Sequence, residues 1–586
     1  MRRLRWFCVL AAIATTAAQA SSSAAVAHAQ LSRVADEYWR YLREETLEVT
    51  QTIGEAPRRL PVVSQRACDV DAQHAKRLLH RLERIDAKLL DATDVISLEM
   101  LRWEQAQRIG RARHCRLQSP LTPYASSLEI ARHVLLHLPL ENRADLARYR
   151  GLLGDYARYL ESIDTFMREQ ADRGIVLPRD ELPAVLETLD GHLAAPANDA
   201  LRVDDARLAP FDARTKARFR KAVGELVETR VDPAVRGLRG YIDGPYRAKA
   251  PAQPGLYQYP QGKEYYRFLV KYHTTLDLEP EEVHARGIAA VAALEVERSA
   301  LRRRLGFGDD ESAFREFLRS DRRFFATTPE DVEARLGAGA ERARAVALRY
   351  FPALPKAPYG LQRLDSAFEG AQTFGYYDPP SVHEPRGLYH YNASQLDQRS
   401  MVEATAIGLH ELIPGHHLQI ALQFENVALP AFRRNAFPTA YNEGWGTYAS
   451  ALGEEMGAYA DDHERYGRLS MDLFMAVRLV VDTGMNHLGW SREQAMAYMR
   501  EHLTLSEAQI ASETLRYAAD MPGQALAYRI GYEEIARLRA QAERAAGPAF
   551  DVREFHRCVL EEGAMPLSVL ARHVPACMTK ERRTGR

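Results

Sequence analysis

Three absences in the sequence limit what the protein can be. Lys and Arg number 78 against 79 Asp and Glu, so no positive excess predicts a nucleic-acid partner. Beyond the N-terminus no apolar run reaches the roughly 18 residues of a membrane span, so stable membrane insertion is not expected. No fixed-period repeat and no low-complexity segment is present. With 46% apolar and 27% charged residues, the 586-residue chain is typical of a folded soluble protein.

The N-terminus has the parts of a secretory signal peptide. Arginines at the start precede an apolar stretch from Trp6 to about Ala14, and small residues follow. Cleavage sites of the Ala-x-Ala type end at Ala20 and at Ala29, and the second is favoured. The apolar stretch is shorter than the roughly 20 residues of a membrane span. We therefore predict that residues 1–29 are a signal peptide and that the mature protein is periplasmic or secreted.

Cysteine is scarce. Of five cysteines, one lies in the predicted signal peptide and four remain, none of them in a CxxC pair. A zinc-finger or CxxC redox motif is therefore excluded. Cys68 and Cys115 lie in the N-terminal part, and Cys558 and Cys577 lie near the C-terminus. Because an exported protein matures in an oxidising compartment, the simplest expectation is one local disulfide within each pair.

Most of the chain follows a helical pattern. Apolar residues recur every three or four positions between charged ones, as in SRVADEYWRYLREE, AQHAKRLLHRLERID and PEEVHARGIAAVAALEVERSALRRRLG. Pro and Gly crowd together around residue 250, in GPYRAKAPAQPG, which indicates a boundary. We expect a mainly α, bipartite protein with an N-terminal helical lobe at 30–250 and a second, catalytic lobe at 251–586.

The pattern changes between Tyr350 and Asn392. The segment contains TFGYYDPPSVHEPRGLYHYN, in which tyrosines are interspersed with prolines and glycines. This composition favours a short hairpin or a few strands, and an aromatic-rich loop is the alternative. It predicts a small β insert. Tyr377 in this insert is a candidate for substrate binding, because an edge strand can pair with an extended peptide.

The segment SQLDQRSMVEATAIGLHELIPGHHLQ contains the first candidate metal ligands. Ser394 begins a sequence that resembles a capping box, so we expect a helix that starts there and contains His410 and Glu411. A zincin helix has the motif HExxH, in which two histidines four residues apart hold one zinc ion. Here Pro414 occupies the fourth position and HExxH is absent. Since proline cannot donate to the carbonyl of His410 and clashes with it, we expect a distorted helix at this point.

The distortion leaves two histidines as candidates for the second ligand. In an undistorted helix His416 would lie about 120° around from His410, although a bulge at Gly415 can bring it back. His417 is better aligned in angle but lies roughly 10.5 Å along an undistorted axis. Geometry alone does not decide between them.

A third ligand is offered by TAYNEGWGTYASALGEEMG, which follows a helical pattern and contains Glu443. Two neutral imidazoles and one carboxylate can hold Zn²⁺ and leave a position open for water. Glu411 is then the expected general base, which accepts a proton from the water that attacks a carbonyl. We expect one zinc ion per chain, although this set of ligands also suits other divalent metals.

HELIPGHHLQ and AYNEGWGTYA together resemble the HExxPGH and EGW motifs of a bacterial family, domain of unknown function 885, whose members are regarded as candidate zinc peptidases. GKEYYRFLVKYHTTLDLEPEEVHARG, VRLVVDTGMNHLGWSREQAMAYM and RYAADMPGQALAYRIGYEEI extend the resemblance over roughly residues 260–540. In that family the PGH histidine is kept while the next residue varies, which implies His416 as the ligand. The family is more distantly similar to helical zinc oligopeptidases and carboxypeptidases, which implies a zincin-like fold with a channel or cleft between two lobes.

Four residues of the matching segments are candidates for acting on substrate. Attack on a carbonyl develops negative charge on its oxygen, which a hydroxyl or an imidazole can stabilise. Tyr528 in QALAYRIG and His487 in DTGMNH are the candidates for this catalytic role. Arg478 and Arg516 are candidates for holding a substrate carboxylate, because a guanidinium group can bind it through two hydrogen bonds.

The expected function is that of an exported zinc-dependent peptidase that hydrolyses small peptides by metal-activated water. A zinc-dependent hydrolase of esters or non-peptide amides would use the same groups. A third interpretation is a noncatalytic envelope binding protein with a structural metal. Four protein ligands would favour it, and an intact Glu411 beside His410 argues against it. The sequence does not predict an oligomeric state.

Overall fold

The computed structural model describes residues 2–584 except for 48, 50–52, 54, 56, 124–126, 196, 365–368, 370–374 and 382–383. Residues 2–22, 127, 197 and 580–584 are described by their backbone alone. The predicted signal peptide forms the first part of a helix that continues to Glu45, apart from Met1, which lies outside the described residues. None of the helices in the described part of the chain combines the length and the apolarity that crossing a bilayer requires.

Helices form nearly all of the regular structure, and the prediction of a mainly α protein is confirmed. The helices of the N-terminal part are α1 (Arg2–Glu45), α2 (Gln65–Glu83), α3 (Ala92–Arg113), α4 (Ser127–His137), α5 (Arg143–Ala171), α6 (Leu182–Leu193), α7 (Ala197–Ala200), α8 (Ala213–Leu226), α9 (Asp232–Tyr241) and α10 (Arg247–Lys249). The helices that follow, up to the sheet, are α11 (Gly262–Thr274), α12 (Pro280–Arg304), α13 (Glu311–Ser320) and α14 (Pro329–Val346). Those after the sheet are α15 (Ala404–Glu411), α16 (His416–Glu425), α17 (Ala431–Arg434), α18 (Thr439–Glu455), α19 (Asp462–Thr483), α20 (Arg492–His502), α21 (Glu507–Leu515), α22 (Leu526–Ala546), α23 (Val552–Leu560) and α24 (Leu567–Thr584).

The predicted β insert is confirmed as a small sheet of three strands. The strands are β1 (Tyr359–Arg363), β2 (Gly375–Asp378) and β3 (Gly387–Tyr391). The central strand, β3, pairs parallel with β1 and antiparallel with β2, so β2 lies at an edge of the described sheet. Tyr389 of β3 packs with Leu336 of α14 and Ile407 of α15. This packing holds the sheet against the helix that contains His410.

Close helix crossings bring the later helices together. The long helices α12 and α19 pack along each other, and so do α18 and α22. At the crossing of α18 with α22, a Cβ atom added to Gly444 would lie 2.4 Å from the backbone of Gly531. Glycine is required there because no side chain fits between the two backbones.

The apolar cores do not divide the chain at residue 250 alone. Side chains between Leu47 and Ala250, mostly from α4 to α9, form one core of their own. The first three helices pack instead into the main core of the C-terminal half, where Leu31 and Leu101 join Trp445. Packing therefore joins α1, α2 and α3 to the core of the C-terminal half, and the lobe boundary near residue 250 stays a prediction.

Both predicted disulfides are confirmed. Cys68 at the start of α2 is bonded to Cys115, which follows α3. Cys558 of α23 is bonded to Cys577 of α24. Paired cysteines are typical of exported proteins, which mature in an oxidising compartment.

Candidate functional site

α15 (Ala404–Glu411) contains His410 and Glu411 in its last turn, but it begins later than predicted. Its N-cap residue is Glu403, which makes no side-chain capping bond. Ser394 lies in a non-helical segment, where its hydroxyl donates to Oδ1 of Asn392 at 2.7 Å. The predicted capping box is therefore wrong, because the serine side chain is engaged in a local turn.

The expected distortion at Pro414 is a complete interruption of the helix. α15 ends at Glu411, the Ile413–Pro414 peptide bond is cis, and α16 begins at His416. At Gly415 the chain passes so close to the end of α15 that an added Cβ would lie 1.9 Å from the carbonyl oxygen of His410. The interruption places the rings of His410 and His416 with their centroids 4.6 Å apart.

The EGWG motif of α18 (Thr439–Glu455) positions the third group. Trp445 is fully buried and donates its Nε1–H to the carbonyl oxygen of Pro414 at 3.0 Å. A Cβ on Gly446 would lie 2.7 Å from the ring of His410, so only glycine lets α18 approach the imidazole this closely. These two residues hold α18 against the helix interruption, and Glu443 of the same motif then faces both histidines.

Three ligand atoms converge in this way. Oε2 of Glu443 lies 3.5 Å from Nε2 of His410 and 3.4 Å from Nε2 of His416. These separations are long for hydrogen bonds, but they match the roughly 3.3 Å between ligands that hold a tetrahedral zinc ion at about 2.0–2.1 Å. Among the described residues, no fourth His, Cys, Asp or Glu joins this group. The three side chains therefore fit a divalent metal ion such as zinc.

His417 points away from this group. Its Nε2–H donates to the carbonyl oxygen of Ala357 at 3.0 Å, which leaves Nδ1 to accept from the Tyr377 hydroxyl at 2.9 Å. Burial lowers the pKa of His417 to about 4, so the ring is neutral at neutral pH. The structure thus places His416 in the cluster and His417 outside it.

Burial and neighbouring charges shift the protonation of the three candidate ligands. Burial lowers the pKa of His410, which favours the neutral imidazole that a metal requires. Burial acts in the same direction on His416, but Glu443 and Glu411 outweigh it and raise the pKa of that ring. Burial would raise the pKa of Glu443, yet the two facing imidazoles hold it well below its usual value. The cluster therefore contains an ionised carboxylate and attracts positive charge.

The cluster lines a cavity of about 260 Å³, together with Glu411, Tyr377 and Tyr528. Burial raises the pKa of Glu411 to about 7, in the range of a general base at neutral pH. The ring of Tyr528 stacks on that of His410 with centroids 6.1 Å apart. Burial raises the pKa of Tyr528 to about 12, so its hydroxyl keeps a proton that it can donate.

A buried ionic cluster forms another part of the cavity wall. Arg478 donates to Oε2 of Glu513 at 3.0 Å and to the hydroxyl of Tyr517 at 2.9 Å. Arg516 lies 3.6 Å from Oε1 of Glu513 and donates to Oε1 of Gln524 at 2.7 Å. Both arginines predicted to bind substrate therefore line the cavity, each beside a partner that holds it in place.

His487 is not brought to this cavity. It lies in a π-helical turn after α19, where its Nε2 is 2.7 Å from Oε1 of Glu281 and its ring packs over Tyr266. It lies nine positions beyond Arg478 along this helical stretch, which is on the order of 10 Å along the axis. The geometry therefore gives no support to the catalytic role predicted for His487.

Several residues of the cavity wall were not predicted from the sequence, among them Gln524, Glu513 and Phe437. Gln524 belongs to the matched motif PGQALAY, so its signal was present but not used. Glu513 and Phe437 lie in segments without a distinctive pattern, and only the folding of the chain brings them to the cavity.

The chain is similar to known proteins in its fold and in its sequence. No curated protein matches the chain. A crystal structure of a Colwellia psychrerythraea protein with a provisional lipoprotein name has a TM-score of 0.87 at 23% identity, and the match covers 94% of this chain and 100% of that one. A Shewanella oneidensis protein of unknown function, with the same provisional name, has a TM-score of 0.67 at 16% identity, over 95% and 98% of the two chains. At these identities the likeness concerns the fold. Residues 48–574 match the family described as bacterial protein of unknown function (DUF885), and the chain belongs to that family.

Proposed function

We propose that the protein is an exported, zinc-dependent peptidase that hydrolyses peptide bonds of small peptides. The observation that supports this proposal is the convergence of His410, His416 and Glu443 in one cavity with Glu411. The predicted signal peptide and the two disulfides support a periplasmic or secreted location.

The residues divide the chemistry between them. His410, His416 and Glu443 would hold the zinc ion, which when bound polarises a carbonyl and lowers the pKa of water. Glu411 accepts a proton from the attacking water and passes it to the leaving amine, since its raised pKa allows both steps near neutral pH. The protonated hydroxyl of Tyr528 donates to the carbonyl oxygen as negative charge develops there.

The walls of the cavity suit an extended peptide. Gly375, Tyr376 and Tyr377 of β2 line the cavity, and within the described sheet one backbone edge of β2 has no strand beside it, so a substrate backbone can pair there. Phe437 is 54% exposed, which leaves its aromatic ring available to an apolar substrate side chain. A cavity of about 260 Å³ admits a short segment of chain and excludes a folded protein.

The arrangement of ligands favours an enzyme over a structural metal site. A purely structural zinc site is closed by four protein ligands. His417, the histidine that follows His416 in sequence, has both ring nitrogens engaged by Ala357 and Tyr377. Three ligands beside a buried carboxyl group correspond to a hydrolytic site.

The substitution Glu411→Gln tests this function, with Glu403→Gln as the matched control. Both residues belong to the same stretch of chain, and burial raises the pKa of each to about 7, but Glu403 does not line this cavity. We expect Glu411→Gln to lower kcat/KM by about 10²–10⁴-fold, the range for a general base, with about one zinc ion per chain retained. Glu403→Gln should stay within a few-fold of the native enzyme.

Metal analysis and a substrate panel complete the test. Peptides with free and blocked termini, esters and non-peptide amides are compared by kcat/KM, and peptides should be the best substrates. Full activity of Glu411→Gln, or a purified protein that binds no divalent metal, would contradict the proposal. If esters or non-peptide amides are hydrolysed faster than peptides, the proposed metal site would stand and the proposed substrate class would be wrong.

A further inference from the structure

We call the three candidate ligands, His410, His416 and Glu443, the metal group. The cavity wall away from them contains more positive than negative charge. Three carboxyl groups line the cavity, and two of them are the candidate ligand Glu443 and the neighbouring Glu411. The third, Glu513, faces both Arg478 and Arg516. Burial would raise the pKa of Glu513, but the two arginines outweigh it and keep the group ionised. Among the side chains that line this part of the cavity, two guanidinium groups therefore face one carboxylate, and this excess of positive charge would stabilise an anionic ligand.

Arg478 lies close to the reacting centre and keeps donors for a ligand. Its guanidinium carbon is 4.9 Å from the centroid of the Tyr528 ring, and that ring is 6.1 Å from the ring of His410. Its bonds to Tyr517 and Glu513 use two N–H groups, and a third contacts the sulfur of Met475 at 3.3 Å. A thioether is a weak acceptor, and arginine has five N–H groups. Arg478 can therefore donate to an anion in the cavity without losing Glu513.

The second arginine, Arg516, is held in position by the loop Pro522–Gln524, which we call the PGQ loop. Oε1 of Gln524 accepts from Arg516 at 2.7 Å. The N–H of the preceding residue, Gly523, donates to the carboxyl group of Asp482 at 3.0 Å. Asp482 also accepts from the hydroxyl of Tyr266 at 2.7 Å, which ties the loop to α11 and α19. The guanidinium group of Arg516 is therefore fixed before a ligand binds, which lowers the entropic cost of binding.

We propose that Arg478 and Arg516 bind the free C-terminal carboxylate of the substrate, so that the enzyme is a carboxypeptidase that releases one or two residues at a time. This inference rests on the proposed peptidase function. Hydrolysis adds the oxygen of water to the scissile carbonyl carbon and breaks the C–N bond, and the leaving amine takes a proton through Glu411. The released product keeps its own carboxylate between the arginines.

The size of the cavity supports a short leaving segment. Its volume of about 260 Å³ is below the roughly 300–1,000 Å³ of sites for drug-sized ligands. Phe437, which is 54% exposed, lines the same cavity and provides an apolar surface toward solvent for the part of the peptide before the cleaved bond. A peptide whose carboxylate lies at the two arginines and whose chain leaves the cavity past Phe437 would lose residues from its carboxyl end.

A pair of substrates that differ only in the terminal group tests the inference. The native enzyme with zinc is assayed on one pentapeptide with a free C-terminal carboxylate and on the same peptide as its amide. We expect the free acid to be preferred by roughly 100-fold in kcat/KM, the effect of losing hydrogen bonds to a charged group. Mass spectrometry should show loss of one or two residues from the carboxyl end.

Matched variants assign the preference to the arginine. Arg516→Gln is compared with Arg302→Gln, because both arginines are 8% exposed and ion-paired while Arg302 does not line the cavity. We expect Arg516→Gln to raise KM for the free acid at least 10-fold with little change for the amide, and Arg516→Lys to restore part of the loss. Arg302→Gln should leave both substrates unchanged.

A binding measurement provides a readout independent of turnover. Calorimetry on the Glu411→Gln protein uses the dipeptide Ala-Phe and its C-terminal amide as probes, and only the free acid should bind. Equal cleavage or equal binding of acid and amide, or cleavage in the interior of long peptides, would overturn the inference. If Glu411→Gln is inactive and the native enzyme cleaves the acid and the amide alike, only the carboxylate site is refuted. If Glu411→Gln is fully active, the peptidase mechanism itself fails.

Discussion

Two regions of the molecule bury histidines beside aromatic rings, and they differ in how the ring nitrogens are used. His556 donates through Nδ1 to the carbonyl oxygen of Tyr350 at 2.9 Å and accepts through Nε2 from the hydroxyl of Tyr448 at 2.8 Å. In the metal group, Nε2 of His410 and Nε2 of His416 face one carboxylate at separations too long for good hydrogen bonds. Buried polar atoms that satisfy each other stabilise a fold, whereas those that converge without bonding leave room for a ligand.

The side chain of Trp445 contacts both regions. Trp445 packs edge-on against the ring of His556, with centroids 5.7 Å apart. Its indole N–H donates to Pro414, in the interruption that separates His410 from His416. The region around His556, in which the ring nitrogens are hydrogen-bonded, is the satisfied region, and it supports the metal group through Trp445. Substitutions in the two regions are expected to have different effects.

The largest expected difference is between the alanine variants of the two adjacent histidines, His416 and His417. His416→Ala should abolish tight zinc binding and lower kcat/KM by at least about 10³-fold, because one of three ligands is lost. His417→Ala should keep about one zinc ion per chain and lose less than about 10-fold in activity, since only the contacts to Tyr377 and Ala357 are removed. Zinc content after dialysis and peptide hydrolysis measure both. Loss of the metal from His417→Ala alone would reverse the assignment of the ligands.

A smaller effect is expected at the aromatic ring shared by the metal group and the arginines. Tyr528→Phe removes a hydroxyl that burial keeps protonated and that can stabilise the developing oxyanion. We expect kcat to fall by about 10–100-fold, somewhat less than for a dedicated oxyanion donor, with zinc content unchanged. The control Tyr532→Phe lies one turn further along α22, does not line the cavity and should keep full activity. Equal losses in the two variants would indicate a role in packing.

The smallest effect is expected in the satisfied region, and it concerns stability. Above the usual histidine pKa of about 6.5 the ring is neutral in both folded and unfolded chains. Below it the unfolded chain takes up a proton, while burial holds the pKa of folded His556 near 3. Stability is therefore lost as the pH falls from about 6.5 to 3, by up to about 1.4 kcal/mol per pH unit.

His556→Gln removes this titration and should flatten the pH dependence of the unfolding free energy between pH 6.5 and 5. Denaturant unfolding at several pH values measures the slope, and zinc binding at neutral pH should persist. His80→Gln, which changes an exposed histidine of α2, is the control and should leave the slope as it is. An unchanged slope in His556→Gln would mean that other groups dominate the acid sensitivity.

Local patterns in the sequence were enough to predict several features. The helical periodicity, the aromatic insert and the two disulfide pairs each depend on residues that are neighbours in sequence or on a short list of cysteines. Pro280 at the start of α12 is one such local signal, because its ring favours the first turn of a helix. The predicted start at Ser394 failed for the complementary reason, since its hydroxyl has a competing partner in Asn392.

The candidate site likewise combines residues that local sequence patterns predicted with contacts that depend on folding. Its residue types were visible in HELIPGH and EGW, but the choice between His416 and His417 depends on a helix that stops at Glu411 and restarts at His416. His487 resembled a site residue in sequence, but it lies in the turn after α19, beyond the part of that helix that lines the cavity. The ionic cluster around Glu513 joins helices far apart in sequence and had no local signal.

The sequence by itself determined the helical character, the small β insert, the two disulfide pairs and the family to which the chain belongs. These depend on short-range patterns, on a few cysteines and on motif residues. Only the tertiary structure decided which imidazole faces Glu443, that β2 lies beside the cavity and that two arginines share one carboxylate in its wall. Such contacts depend on distances between segments that packing alone brings together.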